Sequence, residues 1–228
     1  MALRVAVLAS GNGSNLQSIL DKAAAGVLDV DVRLVLCNRP DAYALQRAAQ
    51  AGVPHLCLPH GDFPDRESFD AAMVAAIREA GADAVVLAGY MRLLTPLFLN
   101  AFAGRVVNIH PAVLPAFPGV RGAADAHAYG VKITGCTVHF VEEKMDHGPV
   151  IIQAAVPLNP EEDVEALKER IHAMEHRIYP QALQWLAQGR LVSAGRTVRL
   201  APPACGEAPA RAADRGDWLV WPPLEAGF

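Results

Sequence analysis

The sequence has few cysteines, no excess of basic residues and no long apolar run. Its four cysteines are scattered without a C-x-x-C pair, which indicates free thiols in a reducing compartment rather than a disulfide scaffold. The formal net charge is −4, so the composition does not indicate a nucleic-acid-binding surface. No apolar run approaches the ~20 residues of a membrane span, and no signal-peptide pattern is present. We therefore expect a cytoplasmic protein without nucleic-acid or membrane partners.

What is present favours a globular fold. The 228 residues are 52% apolar and 19% charged, which is enough for one substantial core and a small appendage. No cysteine and histidine cluster has the spacing of metal ligands, so we expect no metal.

Apolar runs and helical periods alternate through the first half of the chain. The predicted strands are residues 4–9, 32–36, 53–58, 84–88 and a strand ending at 108–110, and the predicted helices begin at 16 and cover 41–51, 66–80 and 96–102. Continuous apolar strands that alternate with helices predict an α/β fold with a doubly wound, mostly parallel sheet.

The pattern changes after residue 115. Residues 135–141 and 149–158 predict two further strands, antiparallel at least in part, and residues 163–188 predict one long helix. The tail is rich in Ala, Pro, Gly and charge over residues 202–216, which indicates a mobile segment. The apolar residues 218–221 fit docking on the domain and contact with a partner subunit equally.

A glycine-rich stretch, Ser-Gly-Asn-Gly-Ser-Asn at 10–15, separates the first predicted strand from the first helix. Backbone amides at such a helix start favour an anion. No Gly-Lys-Ser/Thr follows, so the stretch is not a P-loop, and Leu16 replaces the third glycine of a dinucleotide fingerprint. A phosphate monoester therefore fits better than NAD. The alternative is a tight turn in which Ser14 caps the helix.

Two polar residues mark the exit of the fifth predicted strand. Asn108 and His110 are two residues apart, so their side chains point to the same face, and Pro111 ends the strand. An amide can donate to a developing oxyanion, and an imidazole titrates near neutral pH. The carboxyl ends of strands are where α/β folds place chemistry. The alternative is that His110 only hydrogen-bonds a loop carbonyl.

Asp146 lies in the connection between two predicted strands and needs a partner for a functional role. His110 is the obvious one, because a carboxylate beside an imidazole favours the imidazolium and orients the ring. His139, inside a strand, is interpreted as a core histidine.

Glu175 falls at the edge of the apolar stripe of the long helix, where a carboxylate needs a partner. Two alternatives stay open. One is a surface base such as Arg177 or His176, and the other is a cationic or amine ligand.

Six short motifs occur together along the chain. They are Ser-Gly-Asn-Gly-Ser-Asn-Leu at 10–16, Ala-Gly-Tyr-Met-Arg-Leu-Leu at 88–94, Asn-Ile-His-Pro at 108–111, Val-His-Phe-Val at 138–141, Met-Asp-His-Gly-Pro at 145–149 and Glu-His-Arg-Ile-Tyr-Pro at 175–180. Together these motifs resemble one family, the phosphoribosylglycinamide formyltransferases of folate-dependent purine synthesis. The resemblance covers residues 3–195 and implies the formyltransferase fold, with a Rossmann-like first half. It implies a domain over residues 1–195, with a phosphate-binding half to about 105 and a catalytic half from about 106 to 195. The tail over 196–228 lies outside the resemblance, and its composition predicts that it is partly mobile.

The resemblance also implies the reaction and the residues that carry it. The formyl group of 10-formyltetrahydrofolate, a co-substrate, would pass to glycinamide ribonucleotide in a monomer or homodimer. The catalytic residues would be Asn108, His110 and Asp146. The ribonucleotide would contact Gly11, Asn12, Gly13, Ser14, Asn15, His172, Ala173, Met174 and Glu175. The folate would contact Arg66, Met91, Arg92, Leu93, Leu94, Asn108, Glu142, Glu143, Lys144, Met145 and Asp146.

Other functions remain as alternatives. Formyltetrahydrofolate deformylase shares the catalytic residues with water as acceptor, but ordinarily has a further N-terminal region. Methionyl-tRNA formyltransferase has a basic C-terminal domain that the motifs here do not indicate. A non-catalytic nucleotide-binding module would need only the glycine-rich stretch. The chain departs from the family pattern at Ala116 and residues 120–124, so contacts of that loop are not carried over.

Overall fold

The computed structural model describes residues 2–203 and 219–228, which form two compact units. The first unit contains residues 2–108 and 140–143. The second contains the described residues of 109–139 and 144–228. Most of the segment predicted to be mobile, together with Cys205 and Trp218, lies outside the described residues.

A parallel sheet forms the centre of the first unit, with strand order β3-β2-β1-β4-β5. The elements are β1 (Leu3–Ala9), α1 (Ser14–Ala24), β2 (Val30–Cys37), α2 (Tyr43–Gln50), β3 (His55–Cys57), a 3-10 turn (His60–Asp62), α3 (Arg66–Glu79), β4 (Ala84–Leu87), α4 (Pro96–Ala101) and β5 (Val106–His110). The chain passes into the second unit within β5, after Asn108. The predicted parallel α/β arrangement is confirmed.

The core of the first unit explains why these segments become strands and helices. Residues 5–9 of β1 and all of β4 are buried, as continuous apolar strands covered on both faces must be. On α3, Phe69, Met73 and Ile77 recur at helical spacing and are at most 1% exposed. The helix starts at its cap residue Asp65, whose carboxylate accepts from the Ser68 N–H at 2.7 Å. That hydrogen bond lowers the pKa of Asp65.

The second unit is built on antiparallel pairs. Its elements are α5 (Gly122–Tyr129), β6 (Ile133–Phe140), β7 (Val150–Pro157), α6 (Val164–Ala187), β8 (Leu191–Ala194), β9 (Thr197–Leu200) and β10 (Leu219–Trp221). The antiparallel pairing of β6 with β7 confirms the prediction. Gly135 of β6 has φ 154°, and a Cβ there would lie 1.8 Å from the carbonyl oxygen of Ala154, so the two backbones meet where only glycine fits.

Helix α6 buries its predicted apolar stripe from Leu167 to Trp185. The last part of the chain packs on it. The backbone N–H of Glu225 donates to the side-chain oxygen of Gln181 at 2.8 Å, and Arg190 donates to the Glu225 carboxylate at 2.7 Å. Strand β10 pairs antiparallel with β7, so residues 219–221 dock on their own chain.

A search of the described residues found no helix long and apolar enough to cross a bilayer.

Candidate functional site

The glycine-rich stretch joins β1 to α1 through a left-handed residue. Gly13 immediately precedes the first helical residue, Ser14, and its φ of 75° lies in the region that favours glycine. Within the described residues no side chain caps α1, so the alternative in which Ser14 caps the helix is not the arrangement observed. The first N–H groups of a helix have no partner within it and carry the positive end of its dipole. The turn can therefore bind an anion.

The segment after β4 is held by side chains of α3. Arg66 donates from Nη2 to the Leu93 carbonyl at 2.9 Å. This residue, predicted to contact the folate, therefore also fixes the segment 91–94, which has the same predicted role. Asp70, 2% exposed, accepts the N–H and the hydroxyl of Thr95 at 2.6 and 2.7 Å. Sequence reasoning missed Asp70, since a polar residue on a helix carries no signal of its partner.

The same segment offers apolar surface to a ligand. Met91 and Leu93, two residues apart in this segment, are 61% and 52% exposed. Arg92 places its guanidinium 5.6 Å from the centre of the Phe69 ring. Leu94, in contrast, is buried and belongs to the core.

The imidazole of His110 lies between two oxygen atoms of the second unit. Its Nε2 is 2.8 Å from the carbonyl oxygen of Phe117, which can only accept, so Nε2 carries a proton. Its Nδ1 is 3.5 Å from Oδ2 of Asp146, and these two side chains are 4% and 9% exposed. With a second proton on Nδ1, the ring would donate to both the Phe117 carbonyl oxygen and Oδ2 of Asp146. The structure thus brings His110 and Asp146 together, and the loop-carbonyl bond that was the alternative is present as well.

Asp146 is held by its surroundings in an uncommon conformation. Its φ of 52° is left-handed, which costs a non-glycine residue energy and persists where neighbours fix it. Oδ2 accepts from the Gly119 N–H at 2.7 Å, and Oδ1 lies 3.8 Å from Nε2 of His139. The interpretation of His139 as a core histidine is incomplete, because this 2% exposed residue also faces the carboxylate. In the sequence it does not differ from any histidine inside a strand.

The loop after β5 packs tightly against His110. A Cβ on Gly122 would lie 3.0 Å from His110 Nε2 and 3.2 Å from the Phe117 carbonyl oxygen, so glycine is needed there. Thr137 donates to the Ala112 carbonyl at 2.7 Å and Gln153 donates to Thr137 at 3.0 Å, which ties the loop to the sheet of the second unit.

Asn108 lies in β5 two residues before His110, is half-buried, and pairs in register with Leu87 of β4.

The predicted set on α6 divides between two faces. His172 and Ala173 are exposed, whereas Met174 and Glu175 are buried. Glu175 is 3% exposed, and its Oε2 lies 4.0 Å from Nε2 of His172. A buried carboxylate differs from the surface salt bridge that was one alternative.

The predicted folate loop is mostly exposed and belongs to both units in the chain. Glu142 and Glu143 lie in the first unit, and Lys144, Met145 and Asp146 in the second. In the second unit, Nη1 of Arg196 donates to the His147 carbonyl and lies 2.7 Å from its Nδ1.

The described thiols are poor nucleophiles. Burial raises the pKa of Cys37 to about 12, and burial, with Glu175 nearby, raises the pKa of Cys136 well above its usual range. Burial also raises the pKa of the half-buried Cys57. Across residues 2–203 and 219–228, no three His, Cys, Asp or Glu side chains are grouped to hold a metal ion.

Comparison with known proteins shows the class. A model of the formyl transferase family matches residues 3–183. The chain therefore belongs to the formyl transferase family, as its motifs and α/β fold predicted.

Relatives of similar length are named for one activity within this family. Phosphoribosylglycinamide formyltransferase of Escherichia coli (strain K12) is 42% identical over 83% of this chain and 89% of that protein. The crystal structure of glycinamide ribonucleotide transformylase 1 from Symbiobacterium toebii is 49% identical, with a TM-score of 0.86 over 88% of this chain and 94% of that one. Trifunctional purine biosynthetic protein adenosine-3 of Drosophila melanogaster is 47% identical over 82% of this chain, which spans only 14% of that protein.

Proposed function

We propose that the protein transfers the formyl group of 10-formyltetrahydrofolate to the amine of glycinamide ribonucleotide, giving N-formylglycinamide ribonucleotide for purine synthesis. The observation that carries the proposal is the buried contact of His110 with Asp146. It sits in a chain whose relatives of similar length are named for this activity.

The acceptor is bound through its phosphate. The turn formed by residues 11–15 presents helix N–H groups to the anion, and binding far from the reacting carbon supplies positioning energy. Glu175, with residues 172–174 beside it, serves the glycinamide end, because a buried carboxylate suits an amine ligand.

The folate is bound by exposed residues. Met91 and Leu93 offer apolar surface, and Arg66 and Arg92 supply cations beside them. Residues 142–146 complete the folate contacts in this proposal.

The chemistry is a direct transfer. The amine lone pair attacks the formyl carbon, and the carbonyl electron pair moves to oxygen. The Asn108 amide donates a hydrogen bond to that oxyanion, and the positive charge of the protonated His110 stabilises it. Collapse breaks the bond from carbon to N10, and the proton leaving the amine reaches N10 through His110 or through a water held by Asp146.

The test measures formyl-folate consumption with and without glycinamide ribonucleotide, in wild type and in Glu175→Gln. We expect wild-type turnover to depend on the ribonucleotide, and the variant to show a raised KM for the acceptor with an unchanged KM for the folate. Glu165→Gln is the control, since that carboxylate on the same helix is 72% exposed and pairs with Lys168.

Two results would contradict the proposed function, and a third would revise only the acceptor site. Fast consumption without the ribonucleotide identifies a deformylase. No consumption under any condition identifies a binding module. Acceptor-dependent transfer that is indifferent to Glu175 keeps the function and removes that residue from the acceptor site.

A further inference from the structure

The glycine-rich turn rests on α2, and Arg47 of that helix reaches it with three N–H groups. Nε donates to the Asn12 carbonyl at 2.9 Å, Nη2 to the Asn12 side-chain oxygen at 3.0 Å, and Nη1 to the Gln17 side-chain oxygen at 3.0 Å. The guanidinium also lies 4.8 Å from the centre of the Tyr43 ring. A planar guanidinium engaged at all three nitrogens fixes both its own position and that of the turn.

These contacts set the direction of two successive peptide planes. The Gly11 carbonyl accepts from the Ala44 N–H at 3.1 Å, and the Asn12 carbonyl accepts from Arg47. The cis peptides among the described residues lie elsewhere, and in a trans peptide the N–H points opposite to its carbonyl. The N–H groups of Asn12 and Gly13 therefore both point away from α2. Successive N–H groups on one side form an anion-binding concavity.

The charge of Arg47 adds to this geometry. A guanidinium is a charged donor, and a charged donor on a carbonyl polarises the whole peptide group. The N–H on the far side of that peptide becomes a stronger donor. Arg47 can thus favour a bound phosphate without touching it.

We propose that Arg47 is a positioning residue that sets the affinity of the glycine-rich turn for the phosphate of the acceptor. The inference rests on the proposed function, and it adds a residue that lies outside all six motifs. It requires Arg47 to affect acceptor binding while leaving folate binding and the chemical step unchanged.

The experiment varies each substrate in turn for two variants. Arg47→Met keeps the length of the stem but removes the donors and the charge, and Arg47→Lys keeps the charge without the planar fork. For Arg47→Met we expect the ribonucleotide KM to rise about tenfold, the scale of hydrogen bonds to charged groups. Arg47→Lys should be intermediate. Turnover at saturation and the folate KM should stay within about twofold in both.

Arg33→Met is the matched control. Arg33 is an exposed arginine of the same unit that bonds Asp31 at 3.3 Å and the Ala80 carbonyl at 3.2 Å, away from the turn. Its loss should leave every constant unchanged. Inhibition by inorganic phosphate, competitive with the ribonucleotide, should weaken in the same order as the ribonucleotide KM rises.

Specific results overturn the inference. An unchanged ribonucleotide KM in Arg47→Met, or a parallel rise of the ribonucleotide and folate KM values in that variant, would contradict it. So would a wild-type ribonucleotide KM in Arg47→Lys, or an equal rise of the ribonucleotide KM in Arg33→Met. If the wild type shows no ribonucleotide-dependent transfer, the proposed function fails. Calorimetric titration with inorganic phosphate then still decides the role of Arg47, because Arg47→Met should bind phosphate about tenfold more weakly than the wild type.

Discussion

The glycine-rich turn and the cluster around His110 hold their polar groups in opposite ways. In the turn, backbone N–H groups are directed outward because neighbouring carbonyls are bound by Ala44 and Arg47. In the cluster, the polar groups belong to buried side chains that the backbone holds, with the Phe117 carbonyl on the imidazole and the Gly119 N–H on the carboxylate.

This difference decides which substitutions matter. A site made of backbone tolerates changes of its own side chains, provided that no new atom blocks the close approach of the chain. A site made of buried side chains depends on their chemical identity, since truncation leaves other buried polar groups without partners.

Replacing His110 by Ala should have the largest effect. Turnover should fall by roughly 10²–10⁴-fold, the usual contribution of a general acid or base, with both KM values little changed. Steady-state kinetics with circular dichroism as a check of folding measure this. His55→Ala, which removes an exposed histidine of β3, is the control. A variant that keeps half of wild-type turnover would remove His110 from the chemistry.

Asp146→Asn should reduce turnover less than His110→Ala does. The amide oxygen can still accept from the Gly119 N–H, but the charge that faces His110 and His139 is lost. We expect a loss of about 10–100-fold in turnover, the scale of a hydrogen bond to a charged group. Asp125→Asn on α5, where the side chain is 43% exposed, should change nothing. Equal rates for both variants would show that the carboxylate only shapes the loop.

Gly13→Ala tests the backbone site against a matched glycine. A Cβ at Gly13 would lie 2.7 Å from the Cβ of Ala44, whereas Gly26 has a similar φ of 71° and open space. Both alanines should cost about 1–3 kcal/mol for the left-handed backbone. Only Gly13→Ala should also raise the ribonucleotide KM severalfold. Equal kinetics in the two variants would mean that α2 does not shape the turn.

The smallest effect is expected for Asp70→Asn on α3, whose carboxylate holds Thr95 in the loop after β4. The variant keeps an oxygen for Thr95 but loses the charge of a buried carboxylate. The folate KM should rise about threefold, with about 1–3 kcal/mol lost from the free energy of unfolding. Urea titration and kinetics measure the two quantities, and Glu79→Gln, exposed on the same helix, is the control. A raised ribonucleotide KM instead would assign this loop to the other substrate.

Much of the fold was predictable because its signals are local. Apolar runs and helical periods in the first half place β1 to β5 and their helices within a few residues, and the antiparallel pair β6 and β7 was expected. Strand β8 was missed, since it is mostly exposed and shows no apolar alternation. Only its pairing with β9 makes it a strand.

Those parts of the candidate site whose residues are close together in the sequence were predictable. The glycine-rich turn and the pair Asn108 and His110 lie within short stretches, and their motifs indicate the family, which the comparisons confirm. The residues that contact these stretches and hold them in place were not predictable. Arg47 lies 35 residues along the chain from its partner Asn12, and neither an arginine on a helix nor a histidine in a strand, such as His139, carries a signal of a functional contact. The assigned roles of the site residues stay predictions.

The docking of the last residues on α6 has a practical consequence for producing the protein. The family match ends at residue 183, inside α6, so a version trimmed at that boundary would cut the helix itself. A version ending near residue 200 would keep the helix but remove Glu225, the carboxylate paired with Arg190, and those side chains are 12% and 7% exposed. Leaving a buried charge of this kind unpaired costs about 3–5 kcal/mol, so we expect the shortened version to be less stable than one that keeps residues 219–228.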